Sequence, residues 1–535
     1  MITENLSTLK IHKLTQEQYD RELEAGNIDA TALYLTPEVK DCLYYTTLYA
    51  AVSDINNGVS YNSINNQAKA KVKVFPADNG RITVMLLDNV SESVQIDINK
   101  DIDLVLNGKT LNFITAESHM NYGAGVSCTI NGEVNGSAIN KTGITSSGIV
   151  RFVNFGGKQL IVNGGTYNLG VSSNVSSLIF SIGANCKLFR LVGCNTTLIS
   201  TYAETTSATS RTVQSQAVNT EIIDCQMRQE SGYGNTVYFR YGGIVENSTI
   251  IGKCISQSTG YVYPIYVWND GSVILKNSTI KGDSADCHAY NASSVGVSNH
   301  GTLYLENCYV NAPHSGVDNH GNLYINGGTY TGYCHGGFYF NHGSTGEAFI
   351  NDATIRAGNY EGEFDYSEKT ADIYGAFYIG SGSDATVYLD NCTIDGTGCT
   401  QGAFVMRGTD GESNNTVNIS NSTVTSGTIR IDPDLGHKLN IGMGGNITTD
   451  MVNNPAYAEV TNDLYRRNHA DKVLDGNDYE ALWANINNIV YTSESNQESA
   501  VVPLNADTLG GRHSSEFALI TDIDALREEI FGGAW

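Results

Sequence analysis

The sequence is poor in proline and in basic residues. Among its 535 residues there are 7 Pro and 31 Lys and Arg, against 56 Asp and Glu, which gives a formal net charge of −25. Binding to nucleic acids and to anionic membrane surfaces relies on Lys and Arg that neutralise phosphates. The charge balance therefore argues against both kinds of partner.

Long apolar segments and familiar cofactor motifs are also missing. No apolar run is long enough to cross a bilayer, and the polar start MITENLSTLK lacks the apolar core of a signal peptide. The sequence has no P-loop, dinucleotide-binding fingerprint, nucleophile elbow or paired CxxC zinc spacing. We therefore expect a protein made in the cytoplasm that does not insert into membranes and uses no cofactor or metal.

What the sequence does contain is 56 Gly and an internal repeat. In residues 294–335, SVGVSNHGTLYLENCYVNAPHS is followed by GVDNHGNLYINGGTYTGYCH, so that the NHG sequence recurs at a spacing of 20. Self-similarity at a period of about 20 to 50 residues is the signature of a solenoid.

A related pattern occurs in ten segments, some of which fit it loosely: an aliphatic residue, a polar residue, then Asn, Gly or Asp, then a small residue. The third position is occupied by Gly164, Gly193, Asp224, Asn247, Asn277, Asn307, Gly327, Asp352, Asn391 and Asn421. The first position is always Val, Leu or Ile, namely Val162, Leu191, Ile222, Val245, Leu275, Leu305, Ile325, Ile350, Leu389 and Ile419. This alternation predicts short strands, with the aliphatic residues in one buried column and a corner after them.

These coils could belong to a leucine-rich repeat, but the LxxLxL frame and its helical half are absent. The sequence instead predicts an all-β, right-handed parallel β-helix, with small α/β elements at its N-terminal end and helices at its C-terminal end. Stacked coils lie about 4.8 Å apart, so identical residues stack, and buried Asn residues of successive coils should form ladders in which each side-chain amide bonds to the next. One ladder is predicted for Asn247, Asn277 and Asn307, and a second for Asn269, Asn299, Asn319 and Asn341.

The 11 cysteines are an odd number. Four of them, Cys194, Cys225, Cys308 and Cys392, occupy the small position of the repeat, where Ser, Gly or Ala stands in other coils. We therefore expect buried free thiols, and no disulfides, in a protein that folds in a reducing cytosol.

The two ends of the chain differ from the repeat. Leu14–Gly26 is predicted to form a short helix, and residues 32–38 a strand that Pro37 ends. Residues 477–491 are predicted to form an amphipathic helix, and residues 521–531 a short trimer-forming helix. The predicted organisation is an attachment segment at 1–60, a β-helix at 61–455 and a C-terminal trimerisation or tip segment at 456–535.

Three segments carry a family resemblance. Lys10–Glu38, KIHKLTQEQYDRELEAGNIDATALYLTPE, resembles the N-terminal segment of tail-fibre and baseplate-attached proteins of bacteriophages and prophages. Residues 505–518, NADTLGGRHSSEFA, are similar to an element that recurs near the ends of phage tail fibres, and LNGKTL at 106–111 resembles the first coils of tailspikes and pectate-lyase-like β-helices. The resemblance implies a homotrimeric tail fibre or tailspike in a virion tail or phage-tail-like particle. Its N-terminal segment would bind baseplate or tail proteins, and its body would bind a host-surface glycan.

Histidines and aromatic residues are the candidates for glycan contact. His300, His320 and His342 recur in NHG sequences, with Asp270 expected in the same place one coil earlier, and stacked imidazoles could bond sugar hydroxyls. The histidines could equally be residues that an exposed turn tolerates, and alternation must place about half of the aromatic residues in the core. The predicted glycan-binding residues are Trp268, His300, His320, Tyr333, Tyr339 and His342.

An enzyme is the competing hypothesis: a β-helix depolymerase, hydrolase or lyase, that cleaves capsule or O-antigen. Glycoside hydrolysis needs two carboxyl groups about 5 to 9.5 Å apart, and residues one or two coils apart meet that condition easily. The candidate catalytic residues are Asp318, His320, Glu347 and Asp365. No catalytic motif of pectate lyases is recognisable, and a bacterial surface adhesin is disfavoured by the missing export signal.

Overall fold

The computed structural model describes residues 11–13, 33–35 and 42–460. The last range is interrupted at 59–62, 65–66, 77–80, 147, 202–208, 257–259, 285–294, 342, 359–360, 363–372, 409–412, 433–435 and 443. The helices predicted at 14–26, 477–491 and 521–531 lie outside the described residues. The strand predicted at 32–38 is present as β2 (Leu33–Leu35), which pairs in parallel with β1 (Ile11–Lys13).

Three long sheets contain the other strands of the described chain, and each coil adds one strand to each sheet in turn. Sheet A contains 13 parallel strands. They are β7 (Ile96–Ile98), β10 (Met120–Tyr122), β13 (Val150–Phe155), β16 (Ser177–Ile182), β19 (Ser210–Ser215), β22 (Gly234–Phe239), β25 (Val262–Val267), β28 (Val297–Asn299), β31 (Val317–Asn319), β34 (Phe338–Phe340), β37 (Phe377–Ile379), β40 (Phe404–Met406) and β43 (Ile429–Ile431).

Sheet B is open, because its strand pairings run in one line from β3 to β45. Its strands are β3 (Leu43–Tyr45), β4 (Val72–Pro76), β5 (Ile82–Leu86), β8 (Ile102–Val105), β11 (Ser127–Gly132), β14 (Gln159–Gly164), β17 (Leu188–Val192), β20 (Asn219–Ile223), β23 (Gly242–Glu246), β26 (Ser272–Lys276), β29 (Thr302–Glu306), β32 (Asn322–Asn326), β35 (Glu347–Asn351), β38 (Thr386–Asp390), β41 (Thr416–Ser420), β44 (Lys438–Ile441) and β45 (Ala458–Val460). Pairs β3–β4 and β4–β5 are antiparallel, and the pairs from β5 onward are parallel.

Sheet C also contains 13 parallel strands. They are β6 (Val90–Glu92), β9 (Thr110–Phe113), β12 (Ala138–Ile144), β15 (Thr166–Val171), β18 (Asn195–Ser200), β21 (Gln226–Ser231), β24 (Thr249–Cys254), β27 (Thr279–Ser284), β30 (Tyr309–Ala312), β33 (Thr329–Gly332), β36 (Thr354–Ala357), β39 (Thr393–Asp395) and β42 (Thr423–Ser426). The prediction of an all-β chain built from stacked parallel coils is confirmed for the described residues.

The predicted aliphatic column is confirmed in sheet B. Strand register pairs its ten residues one after another, from Val162 opposite Leu191 to Leu389 opposite Ile419, and none is more than 2% exposed. Burying each of these side chains is worth about 1.5 to 3 kcal/mol, which fixes the register of every coil.

The corner between sheets B and C explains the Asn, Gly or Asp of the repeat. All ten residues at that position have positive φ values, from 48° to 72°. The left-handed conformation costs most L-residues roughly 1 to 2 kcal/mol, and Gly, Asn and Asp adopt it most readily. The position is therefore selected by backbone geometry.

The small residue after the corner makes hydrogen bonds between coils. The backbone N–H of Cys225 donates to Ser248 Oγ (3.0 Å), and the N–H of Ser248 donates to Ser278 Oγ (3.1 Å). The four cysteines at this position are buried, and the ten cysteines of the described chain form no disulfide. The expectation of buried free thiols is confirmed for these four residues.

The first predicted Asn ladder is wrong: Asn247, Asn277 and Asn307 are exposed at the corner, where their φ angle explains their identity. The second is correct for one step, because buried Asn299 donates through Nδ2 to Oδ1 of buried Asn319 at 2.6 Å.

Asn269 and Asn341 do not continue this ladder, because the register opposes Val267 to Asn299 and Phe340 to Asn319. The turn after β25 has four residues, 268–271, whereas the turn after β28 has two, 300–301. The longer turn moves Asn269 out of line.

Helix α1 (Leu48–Asn57) packs against the first coil and buries Leu48, Ala51 and Val52. Thr47 caps it by accepting a hydrogen bond from the N–H of Ala50 (3.1 Å), and Gly58 ends it with a φ of 65°. No helix in the described part of the chain has the length and apolar character needed to cross a membrane.

Candidate functional site

A groove lies on the outer face of sheet A, where β28, β31 and β34 are only three residues long. It has a volume of about 280 Å³ and is lined by Tyr261, Tyr263, Tyr266, Val295, Ser298, His300, His314, Asp318, His320, Tyr339 and Asn341.

Its floor is one column of outward-facing residues from successive coils. Register places Tyr266 opposite Ser298, Ser298 opposite Asp318, and Asp318 opposite Tyr339. Although they face outward, Ser298, Asp318 and Tyr339 are at most 7% exposed. The floor is sunken because side chains rise beside it at both ends of the strands.

A pair of histidines forms one wall, just after the strands end. The His300 and His320 rings stack with their centroids 4.3 Å apart and their planes 9° from parallel, and His300 Nε2 lies 3.3 Å from Ser298 Oγ. Burial, and secondarily the nearby His320, lower the pKa of His300 to about 4, although Asp318 opposes the shift. His300 is therefore neutral at neutral pH, and one of its ring nitrogens can accept a hydrogen bond.

Asp318 is the carboxylate at the centre of the groove. Its Oδ1 lies 3.5 Å from His320 Nε2, and its Oδ2 lies 3.5 Å from Asn341 Nδ2. Oδ1 is shielded from solvent and accepts no hydrogen bond from any described residue. Both contacts are at the long limit for hydrogen bonds, so the carboxylate is poorly satisfied.

Tyrosines of the preceding coil close one end of the groove. The rings of Tyr261 and Tyr263 stack at 4.4 Å, and those of Tyr263 and Tyr266 lie 6.3 Å apart and 5° from parallel. Burial raises the pKa of Tyr266 to about 12 and that of Tyr263 well above its ordinary value. These hydroxyls therefore stay protonated and can donate hydrogen bonds.

The opposite wall is formed by His314, which lies before β31. Its ring is 4.3 Å from that of His335 and 5.8 Å from that of Tyr339, and His335 also stacks on Tyr374 at 4.6 Å. Tyr339 OH donates to Asn341 Oδ1 at 3.1 Å. This packing holds the Tyr339 ring in place at the far end of the floor.

Of the predicted glycan-binding residues, the structure places His300, His320 and Tyr339 in the groove. Trp268 lies beside it, 6.1 Å from the Tyr266 ring and under the Arg240 guanidinium. Tyr333 packs with Cys334 in a buried cluster at the corner between sheets C and A. His342 lies outside the described residues.

The expected position of Asp270 in line with the histidines is wrong. Because Val267 pairs with Asn299, Trp268 is the residue that precedes His300 in that row, and Asp270 instead contacts Arg240 Nη2 at 3.4 Å.

Of the predicted catalytic residues, the groove brings together Asp318 and His320. Glu347 is exposed at the start of β35 in sheet B, away from the groove, and Asp365 lies outside the described residues. A pair of carboxylates for glycoside hydrolysis is therefore not found among the described lining residues.

Sequence reasoning missed Ser298, His314 and Asn341 as residues of this site. A signal existed for Ser298, since the 20-residue repeat aligns it with Asp318. His314 carries no such signal, because its position depends on the corner between sheets C and A.

The arrangement can form many hydrogen bonds and carries little charge. Asp318 is the one carboxylate among the described lining residues, and none of them is Lys or Arg. The described residues contain no cluster of three or more His, Cys, Asp or Glu that could hold a metal ion. The chemistry available is therefore hydrogen bonding through hydroxyl, imidazole, amide and carboxylate groups.

Comparison with protein-family models finds no family that matches this chain, and a search among curated proteins finds no similar sequence.

Proposed function

We propose that the groove on sheet A binds sugar residues of a bacterial surface polysaccharide, and that the chain is the β-helix body of a phage tail fibre or tailspike. The observation that carries the proposal is the groove itself, in which hydroxyl, imidazole, amide and carboxylate groups converge on a sunken floor.

The tyrosine stacking supports a ligand that forms hydrogen bonds. Because neighbouring rings cover one another's faces, the groove presents mainly ring edges and hydroxyls. Sugars carry hydroxyl groups on every side and match such a surface. The volume of about 280 Å³ is near the lower limit for ligand pockets, which suits a short segment of a polymer that continues beyond the groove.

The remaining parts of the proposal rest on the family resemblance. We propose a homotrimer that covers solenoid faces left exposed by one chain, and an N-terminal segment that attaches to baseplate or tail proteins. The protein would then act in host recognition on a virion tail or phage-tail-like particle. The right-handed coil is proposed from the strand and turn pattern of the repeat.

The experiment is retention of the purified protein on immobilised capsule or O-antigen, comparing the wild type with Tyr266→Ala. We expect the substitution to weaken retention at least about tenfold, since aromatic residues that contact a ligand often contribute about 2 kcal/mol or more. Tyr324→Ala is the matched control, because Tyr324 is also a stacked tyrosine but lies on the outer face of sheet B. Equal retention of both variants would contradict the assignment of the groove.

A depolymerase is the second candidate, favoured by the separation of 3.5 Å between Asp318 Oδ1 and His320 Nε2. In the same incubation, shortened polymer with new reducing or unsaturated ends would establish cleavage. Retained polymer of unchanged length would establish binding alone. Loss of cleavage in Asp318→Asn, measured at polymer concentrations that saturate the variant, would assign Asp318 to the reaction.

A further inference from the structure

The unsatisfied oxygen of Asp318 restricts which sugars the groove can hold. The residue is 7% exposed, and Oδ1 accepts no hydrogen bond from the described residues. A buried acceptor without a donor has a desolvation cost, which a bound ligand removes if it supplies an O–H or N–H group. An ionised carboxylate accepts hydrogen bonds and donates none, so the donor must belong to the ligand.

The surroundings of Asp318 disfavour a ligand that carries negative charge. The described lining residues include no Lys or Arg, and His300 is neutral at neutral pH because burial lowers its pKa. The guanidinium groups of Arg211, Arg240 and Arg407 are not among the groove-lining residues, and Arg240 lies over the Trp268 ring beside the groove. Arg211 Nη1 donates to Gln214 Oε1 at 2.8 Å, and Arg407 Nη1 donates to Tyr378 OH at 3.3 Å.

A sugar carboxylate, sulfate or phosphate would therefore approach a shielded carboxylate that already contacts His320, whose Nε2 lies 3.5 Å from Oδ1, so that a protonated His320 would be shared between Asp318 and the ligand. Like charges in such a setting repel strongly, because water screens them poorly. The protein's net charge of −25 adds to this repulsion at longer range.

We infer that the groove selects sugar residues that donate a hydrogen bond to Asp318 Oδ1 and bear no negative charge. This inference rests on the proposed glycan binding and adds the class of sugar to it. The donor can be a hexose hydroxyl, the N–H of an acetamido group or a protonated amine. Each of these groups supplies the hydrogen-bond donor that Oδ1 lacks.

The test measures binding of the full chain to four soluble polymers: dextran, chito-oligosaccharides, partly deacetylated chitosan and polygalacturonate. We expect one or more of the first three to bind at least about tenfold more tightly than polygalacturonate. Preference for chitosan would identify the donor as an amine, and preference for dextran or chito-oligosaccharides would identify a hydroxyl or acetamido donor. Each of these preferences supports the inference.

The variant is Asp318→Asn, which preserves the shape of the side chain while removing the charge. It should bind the preferred polymer at least about tenfold more weakly and lose the discrimination against polygalacturonate. Glu133→Gln is the matched control, because it changes the net charge equally at an exposed position far from the groove in sequence. It should retain both the affinity and the preference of the wild type.

Two outcomes overturn the inference. If the wild type binds polygalacturonate as tightly as the uncharged polymers, or if Asp318→Asn keeps the wild-type preference, the class of sugar is wrong while glycan binding stands. If neither the wild type nor the variants bind any of the four polymers or bacterial surface polysaccharide, the proposed function fails and the inference falls with it. Unchanged heat-induced unfolding of Asp318→Asn separates these outcomes from misfolding.

Discussion

Two stacks of aromatic residues run along the outside of this solenoid. The stack on sheet B is continuous, whereas the stack on sheet A is interrupted. On sheet B, Tyr304, Tyr324, Phe349 and Tyr388 stack without a break, at centroid distances of 4.7, 5.7 and 4.7 Å and interplanar angles of 13°, 3° and 7°. On sheet A the column passes from Tyr266 through Ser298 and Asp318 before it returns to Tyr339.

The stacking of rings follows from the coil geometry, whereas the interruption of a stack by polar residues does not. Parallel strands in register bring equivalent side chains to within about 5 Å, so stacked rings follow from the fold wherever aromatic residues recur. A small residue and a carboxylate in the middle of a stack do not follow from it. They create the depression and leave polar atoms in it, which is why the sheet A column is the candidate site.

The largest effect is expected from a change that leaves both outer stacks intact. Phe377 is fully buried on the inner side of sheet A and stacks on Phe404 at 4.9 Å. Phe377→Ala should lower the free energy of unfolding by about 3 to 5 kcal/mol through lost contacts and a cavity. Heat-induced unfolding followed by circular dichroism measures this. A loss no greater than that of Tyr388→Ala, on the outer face of sheet B, would contradict the description of the core.

Extending the sheet A stack by one ring should remove the site. Ser298→Tyr places a ring between Tyr266 and Asp318, fills the groove and should weaken glycan retention at least about tenfold. Ile274→Tyr is the matched control, because it extends the sheet B stack by one coil next to Tyr304. If Ser298→Tyr binds glycan as well as Ile274→Tyr does, the ligand does not enter the groove.

The histidines beside the sheet A column should make the stability of that face depend on pH, whereas the aromatic stack on sheet B should not. His300 should titrate near pH 4, below its ordinary 6.5, in NMR spectra of protein labelled with ¹³C in histidine. Because the folded state binds this proton less readily than the unfolded chain, the stabilisation from neutral His300 is present above pH 6.5 and is lost as the pH falls towards 4.

Two substitutions sharpen this prediction with opposite signs. Asp318→Asn removes a charge that favours protonated His300 and should lower its pKa further, whereas His320→Asn should raise it. A titration of His300 near 6.5 in the wild type, or shifts of the same sign in both variants, would show that the two rings and the carboxylate do not interact as described.

The smallest effect concerns the corner beside sheet B. Asn277 has a φ of 48°, and Asn277→Ala should lower the free energy of unfolding by about 1 to 2 kcal/mol, because alanine adopts the left-handed conformation with difficulty. Asn277→Gly should cost less, since glycine adopts it without strain. Urea-induced unfolding compares the two, and an equal loss would show that the asparagine side chain contributes more than its backbone angle.

The sequence predicted the interior better than the outside. Leu275 and Leu305 could be aligned because every coil needs an aliphatic residue before its corner. A shift of the strand register by one residue would expose that aliphatic side chain to water. The outside carries no such requirement. Two extra residues in the turn after β25 were enough to put Trp268, not Asp270, in line with His300. Asp318 and His320 were found because they lie inside the most regular repeat, whereas His314 depends on a corner whose conformation no pattern encodes.

Helix α1 has a further consequence for the solution behaviour of the chain. A stack of parallel coils has no internal limit on its length, because the strand edge of the last coil is as ready to pair as the one before it. At the N-terminal end, α1 covers the first coil and its amides at Leu48 and Tyr49 donate to Glu92 Oε1 of β6, while β3 and β4 replace parallel pairing with antiparallel pairing. The helix packs on the first strands of sheets A and C, so at this end it opposes the addition of another parallel coil.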